Sequence, residues 1–404
     1  MEHNCFTNKI FIYIFKWLLL GALIGIVCGF IGAVFANAVE YLTALRHNNN
    51  FMLFLLLPGG ILSVFLYKFF GVSGVSTDSV IASINGEKRI TKNIVPAIFG
   101  ATLISQAFGA SVGKEGASLQ LGAGIAACFS ELFKLNKDET KILTVCGMGA
   151  FFAALFGTPI GACIFVVEVA FIGKMLLSAI FPTLLSCYAA FYCSKLLGVK
   201  GEYFNVYTIP KLSVNSFYKV ILIVVSTIVV GYIFIKLLHF CEKWAAKIVV
   251  NEYLRISLGA VLVIILTLIV GNNYYNGAGF HIIHKVMNGE QVNYFAFVLK
   301  IVFTVISVAA GFKGGEIVPT LFIGATFGSV MASFLGVDTV FAAAIGMTAL
   351  LCFLTKCPLA CLILAVELFG LKGIIFYLIA VIFSFLPIKK TGFYNSQKCR
   401  LYER

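Results

Sequence analysis

Two short glycine-rich stretches each set a single carboxylate inside otherwise apolar sequence. They are Gly113-Lys114-Glu115-Gly116-Ala117-Ser118 and Gly314-Gly315-Glu316-Ile317-Val318-Pro319. Each leads into an apolar run, Leu119 to Cys128 and Thr320 to Leu335. A glycine turn feeding a helix presents free backbone N–H groups and the positive end of the helix dipole, which together attract anions. Such a turn is tolerated at membrane depth only where protein rather than lipid surrounds it. An ionisable residue there is by default functional. Ionised, Glu115 can occupy the anion site itself; protonated, it leaves the site to an anion. Anion and proton then share one side chain, which is the physical core of antiport. Glu316 is a second group of the same kind, and plain helix capping is the competing role for both.

Other reactive residues point to less. His281 and His284 stand at i, i+3 spacing without an evident third ligand, so no metal site is expected. Most of the twelve cysteines lie within apolar segments, where cysteine acts as a small hydrophobe, and none forms a Cys-x-x-Cys pair. Neither a disulfide framework nor a cofactor is implied. No Ser-His, Asp-Asp or His-rich constellation lies in the spans, so an intramembrane enzyme is not expected. The net charge of +13 sits in short connections between apolar runs. There it reflects a cytoplasmic face and anionic lipid rather than nucleic acid.

The elements that must position these groups are membrane helices. The chain is 60% hydrophobic and only 12% charged, with a mean hydropathy of +1.00; a soluble protein carries about a quarter charged residues. Apolar runs are continuous rather than alternating, which favours helices over a barrel. The first, from Ile10 to Ala36, exceeds the roughly 7–15 residues of a signal-peptide core and is expected to be a retained helix. Phe51 to Phe70 forms a second span, and Asn85 to Lys92 an exposed loop. Ile142 to Ile172 is interrupted at Gly157-Thr158-Pro159. Later spans are expected at Met175–Leu197, Val220–Phe240, Ile256–Val270, Phe295–Phe312, Ile317–Leu335, Thr339–Phe353, Pro358–Phe369 and Gly373–Pro387. Several fall short of the ~20 residues that cross a bilayer. Short, Gly/Pro-broken segments mark discontinuous helices around a midplane site.

The two halves also resemble each other. Gly147 to Ala170 aligns without gaps on Gly346 to Phe369, with eight identities in 24 positions. Pro159 and Glu168 stand 199 residues before Pro358 and Glu367, and Glu115 stands 201 before Glu316. Halves of roughly 1–200 and 201–390 therefore form a two-repeat transporter with its site between the repeats. Periodicity alone leaves parallel and inverted arrangements open. The shared place of Glu168 and Glu367, nine residues after a proline, suggests hydrogen bonding to backbone at a helix start.

These residues carry a family resemblance. Gly113-Lys114-Glu115-Gly116 resembles the G-[RK]-E-G gating-glutamate motif of the CLC chloride channel and antiporter family. Gly314 to Pro319 sits where that family begins its second anion-binding helix, which places Ile317 and Val318 at the anion. Pro159–Glu168 and Pro358–Glu367 resemble its paired interface helices. Tyr394, in Gly392-Phe393-Tyr394-Asn395-Ser396-Gln397, falls where the family places a central anion-coordinating tyrosine. The resemblance covers essentially the whole chain. It implies an all-α, polytopic, inverted-repeat fold with broken helices meeting at a midplane anion site. It also implies a homodimer in a bacterial-type plasma membrane, carrying anions and protons. A single transporter domain, 1–404, with a short tail at 391–404 and no soluble regulatory domain, is expected.

Departures from the family pattern narrow the reading. Chloride-selective members carry Gly-Ser-Gly-Ile-Pro at the first anion turn, whereas Gly74-Val75-Ser76-Thr77-Asp78 puts apolar Val75 at the serine position. A competing register through Ser73 retains a serine; Thr77-Asp78 favours the first, since it resembles the Thr-Asn of a bacterial subgroup. That subgroup, the fluoride/proton antiporters called CLC-F, also resembles this chain in carrying Glu316. Protonated, Glu316 can donate a hydrogen bond to fluoride, the halide that accepts one best. Val169 follows Glu168 where chloride/proton antiporters have a second, inward-facing glutamate. The expected function is fluoride/proton antiport, with a chloride/proton antiporter or passive chloride channel as the alternative. The anion-site residues are then Gly74, Val75, Gly113, Lys114, Gly116, Ile317, Val318 and Tyr394, with Glu115 and Glu316 handling protons.

Overall fold

Proline and glycine decide where the apolar runs break. Pro159 and Pro358 each occupy a first helical position, where the missing N–H costs nothing. The preceding helices stop at repeat-equivalent left-handed residues, Gly157 at φ 74° and Lys356 at φ 59°. A computed structural model describes residues 2–386 and 392–399, with side chains from Phe15 onward. The first half comprises α1 (Glu2–Asn48), α2 (Leu56–Phe69), α3 (Thr77–Ile84), α4 (Ile94–Phe108), α5 (Glu115–Leu132), α6 (Lys137–Phe156), α7 (Pro159–Glu168) and α8 (Ile180–Leu196). The second comprises α9 (Val214–Ile248), α10 (Glu252–Val270), α11 (Phe280–Met287), α12 (Ala296–Ala310), α13 (Ile317–Leu335), α14 (Thr339–Thr355), α15 (Pro358–Phe369) and α16 (Ile374–Phe385). Seven described helices are long and apolar enough to cross a membrane, and the others are shorter.

The halves correspond helix for helix: α3 and α11 each have eight residues, and α4 and α12 each have fifteen. They are inverted. The start of α6 pairs with α1 through Glu139 and Lys16, and the end of α5 pairs with the start of α4 through Glu131 and Lys92. Lys68, ending α2, pairs with Glu252, starting α10, on that same face. From its start at the centre α5 runs to this face, whereas α13 runs to the opposite one, where Gly336 borders one cavity with Ser213 at the start of α9.

Packing of each half rests on close helix contacts. A Cβ on Gly122 (α5) would strike the Gly147 carbonyl (α6), and one on Gly324 (α13) would lie 2.6 Å from that of Gly346 (α14). Glycine is thus required at the same crossing in both repeats. The repeats are tied by exchanged caps. Glu168, ending α7, accepts from the Leu359 and Ala360 amides at 3.3 and 2.9 Å, at the start of α15. Glu367, near the end of α15, accepts from the Ile160 and Gly161 amides at 3.1 and 2.7 Å, at the start of α7. The orphan N–H groups of both short helices are met by carboxylates.

Several boundaries differ from expectation, the first being α1, which runs past Ala36 to Asn48. α9 has 35 residues and extends past Phe240, carrying its polar end to the face of α2 and α10. Residues 280–287, which hold His281 and His284 and lie outside the expected spans, form α11 as the counterpart of α3. The expected second span starts as a 3-10 turn, Asn50–Leu55, before α2. The end of the span at Pro387, the half boundary at 390, and residues 391 and 400–404 of the expected tail lie outside the described residues. Residues 392–399 fold back on the core, where Lys398–Cys399 pairs in parallel with Phe171–Ile172.

Candidate anion and proton site

Both carboxylate turns meet at the centre. Gly113 and Gly315 form an isolated antiparallel bridge, with N–H to O distances of 2.6 and 2.8 Å. Gly116 lies so close that a Cβ there would stand 2.7 Å from the Gly315 Cα. Absence of side chains at Gly113, Gly116 and Gly315 is what lets two helix N-termini share one point. The start of α3 joins them: the Thr77 hydroxyl donates to the Gly116 carbonyl at 3.2 Å, and Gln120 Nε2 donates to Thr77 Oγ1 at 3.2 Å. Three positive helix ends therefore converge, as anion binding requires.

Glu115 is the first residue of α5 and is 0% exposed. Neither carboxylate oxygen has a hydrogen-bond partner among the described residues. A carboxylate so placed costs free energy unless a proton or donors meet it. Capping of its own helix does not satisfy it, in contrast to Glu168 and Glu367. The Lys114 ammonium lies 5.7 Å from the Phe280 ring of α11.

Glu316 is different. It is the N-cap of α13, its carbonyl accepts from the Thr320 hydroxyl at 2.8 Å, and its side chain borders a cavity of about 290 Å³. Val75, Ser76, Thr77, Asp78 and Tyr394 border the same space. Ser73 is exposed and is not part of it, so the turn brings Val75 to the cavity. Gly74 precedes it in a left-handed conformation at φ 74°. Ile317 and Val318 are buried behind Glu316 at the start of α13.

Tyr394 is held by the returning C-terminal segment. Ser396 donates from its amide and hydroxyl to Asp78 at 2.8 and 2.9 Å, and its carbonyl accepts from Asn85 at 2.8 Å. Gln397 Nε2 donates to the Val169 and Thr355 carbonyls, both at 2.9 Å. Val169 is thus a buried backbone anchor for this segment, not a polar group.

The structure adds residues that the motifs did not mark. His239 and Glu242 of α9 and Lys313 of the α12–α13 turn also line the cavity. Only Lys313, directly before Gly314-Gly315-Glu316, carried a positional signal. Opposite them, His284 of α11 meets Glu202 at 3.2 Å, Nε2 to Oε2. His281 instead packs against the His47 and Tyr274 rings. Among the described residues no group of three metal-ligating side chains occurs.

An inverted pair of helical repeats whose broken helices aim their N-termini at a shared carboxylate pair defines a membrane anion transporter or channel. Residues 59–387 match the voltage-gated chloride channel family. The chain belongs to that family, the CLC proteins. It is 30% identical over 396 residues to a chloride/fluoride channel protein of Pseudomonas syringae pv. tomato, covering 96% of this chain and 87% of that one. Among solved structures, a CLC-type fluoride/proton antiporter superposes with a TM-score of 0.91 at 27% identity, covering 96% of this chain and 98% of the other. A slow cyanobacterial chloride/proton antiporter shares the fold, with a TM-score of 0.81 at 20% identity and 92% and 93% coverage.

Proposed function

We propose that this protein is a fluoride/proton antiporter that exports fluoride against inward proton movement. The observation that carries the reading is the pairing of a buried, unpartnered Glu115 with a cavity-facing Glu316 at helix N-termini fastened to each other. Glu115 alternates with the anion: ionised it fills the site, protonated it leaves. Glu316 presents a carboxyl that, protonated, donates to fluoride, and Tyr394 adds a phenolic O–H. Val75 brings no hydroxyl to the cavity, which disfavours a larger, weakly hydrated anion. Similarity to proteins described as a chloride/fluoride channel protein and a CLC-type fluoride/proton antiporter supports the same choice. A chloride/proton antiporter or chloride channel is the alternative. As in the family, the working unit is a homodimer in the plasma membrane.

Lys68, Lys88, Arg89, Lys92, Lys137 and Lys141 cluster on the face where α2 and α5 end, which the positive-inside rule makes cytoplasmic. The cavity under Glu316, next to the end of α9, then opens inward. Ion efflux from liposomes containing the purified protein tests the reading, comparing fluoride with chloride while external pH is followed. Fluoride efflux with proton uptake is expected. Chloride moving as fast as fluoride removes the fluoride assignment, and fluoride moving without protons makes the protein a channel.

A further inference from the structure

The cavity under Glu316 has a second carboxylate on its wall. Glu242 sits near the end of α9, one helical turn after His239, and both line the space that Glu316 and Tyr394 close. Helical spacing i, i+3 puts the two on one face. At 35 residues α9 is longer than the ~20 that cross a bilayer, so its last turns reach the watery mouth.

The charged groups around Glu242 come from every neighbouring element. Asp78 stands on α3, Lys313 on the α12–α13 turn, Glu316 on α13, and His239 and Lys243 on α9 itself. Their commitments differ. Asp78 is engaged by both the amide and the hydroxyl of Ser396. The Lys313 ammonium lies 4.4 Å over the Tyr67 ring. Glu242 enters no ion pair of 4 Å or less among the described residues, and it borders the same cavity as Glu316. A space of about 290 Å³ has room for several waters joining the two carboxyls. Position 169, directly after Glu168, is a buried valine and offers no titratable group there.

We propose that Glu242 is the inner proton-transfer group of the transport cycle, exchanging protons with Glu316 through cavity water. The O–H bond of the Glu242 carboxylic acid breaks, a cavity water accepts that proton and releases another, and an O–H bond forms on the Glu316 carboxylate. In the export cycle proposed above, the flow runs the other way: Glu316 releases its proton through the same water to Glu242, which passes it to the cytoplasm. Lys313 offsets the charge of the two carboxylates while an anion shares the mouth. The proposal rests on the antiport reading.

The test uses full-length protein in liposomes, with fluoride efflux and proton uptake recorded together for wild type, Glu242→Gln and Glu242→Asp. Glu242→Gln is expected to lower proton uptake per fluoride at least fivefold, and Glu242→Asp to restore most of it. A purely structural residue would not sort these variants by their ability to titrate. Size-exclusion and thermal unfolding in detergent establish that each variant is folded. Should Glu242→Gln fail to fold, Glu242→His takes its place, with proton uptake per fluoride expected to track the internal pH through the imidazole range. A wild-type proton-to-fluoride ratio in folded Glu242→Gln, or a ratio in Glu242→His that ignores internal pH, overturns the role of Glu242 alone. Uncoupled fluoride movement in wild type overturns the antiport reading and this one with it.

Discussion

Gly113 and Gly315 exchange both backbone hydrogen bonds, so the turns bearing Glu115 and Glu316 are fastened to each other across the repeat interface. A Cβ on Gly315 would collide with the Gly116 amide nitrogen, which is backbone and cannot swing aside. Gly315→Ala should therefore push α5 and α13 apart and cost about 1–3 kcal/mol, as overpacking does. A Cβ on Gly74 would meet nothing within 4 Å, and only the left-handed φ of 74° opposes a side chain there. Gly74→Ala should cost closer to about 1 kcal/mol. Thermal unfolding in detergent ranks the two, and an equal or reversed order removes the argument from contact.

Glu115 is expected to separate folding from coupling. Glu115→Gln keeps the side-chain volume at a position where neither carboxylate oxygen completes a hydrogen bond among the described residues. Its melting temperature should stay within a few degrees of wild type. Proton uptake per fluoride should fall at least tenfold, because an amide cannot alternate between charged and neutral forms. Retained coupling in folded Glu115→Gln would assign the proton to another group.

The exchanged caps make the opposite prediction. Glu168→Ala or Glu367→Ala leaves two helix-start amides without acceptors, at about 1–3 kcal/mol where the amide is buried, as at Ala360, and less at exposed Ile160. Stability should drop while the proton-to-fluoride ratio of the surviving folded protein stays at wild type. A changed ratio in Glu168→Ala would move this residue from the scaffold into the transport path.

His284 and Glu202 form a pH-dependent pair. Hydrogen bonding to Glu202 holds the His284 imidazole above its ordinary 6.5, with burial opposing. A folded-state value above the unfolded one means stabilisation that is fully present below about pH 6.5 and lost as pH rises through the folded value. Melting temperature measured from pH 5.5 to 8.5 should fall more steeply in wild type than in Glu202→Gln. Parallel slopes would show that the pair contributes nothing.

How much of this was legible in the sequence follows from what each feature depends on. Glu115, Glu316 and the repeat were readable because glycine turns before apolar runs and fixed offsets are local facts. The capping of Glu168 and Glu367 was readable too, since two residues sharing a repeat position after a proline share a neighbour. His239 and Glu242 were hidden, because they lie beyond or at the end of the apolar run of α9 and share a cavity with α3 and α13 residues only through the fold. The His284–Glu202 pair was hidden for the same reason: it joins residues far apart in the chain, on elements with no motif. The anchoring of Tyr394 through Asp78, Asn85 and Val169 likewise depends on contacts over hundreds of residues.

Val75 connects the geometry to selectivity. The turn brings Val75 to the cavity beside Glu316 and Tyr394 and leaves Ser73 exposed elsewhere. Val75→Ser removes two methyl groups and adds one hydroxyl donor. A neutral hydrogen bond contributes a net of about 0.5–1.5 kcal/mol, which corresponds to roughly two- to tenfold in relative affinity. On the reading proposed above, that donor serves chloride more than fluoride, because the acid proton of Glu316 is then the strongest partner of fluoride. Chloride efflux relative to fluoride should therefore rise by roughly two- to tenfold in Val75→Ser. Ser73→Ala, away from the cavity, should leave the ratio unchanged. If Ser73→Ala shifts selectivity and Val75→Ser does not, the anion passes the turn one register earlier, and the missing hydroxyl is no part of fluoride preference.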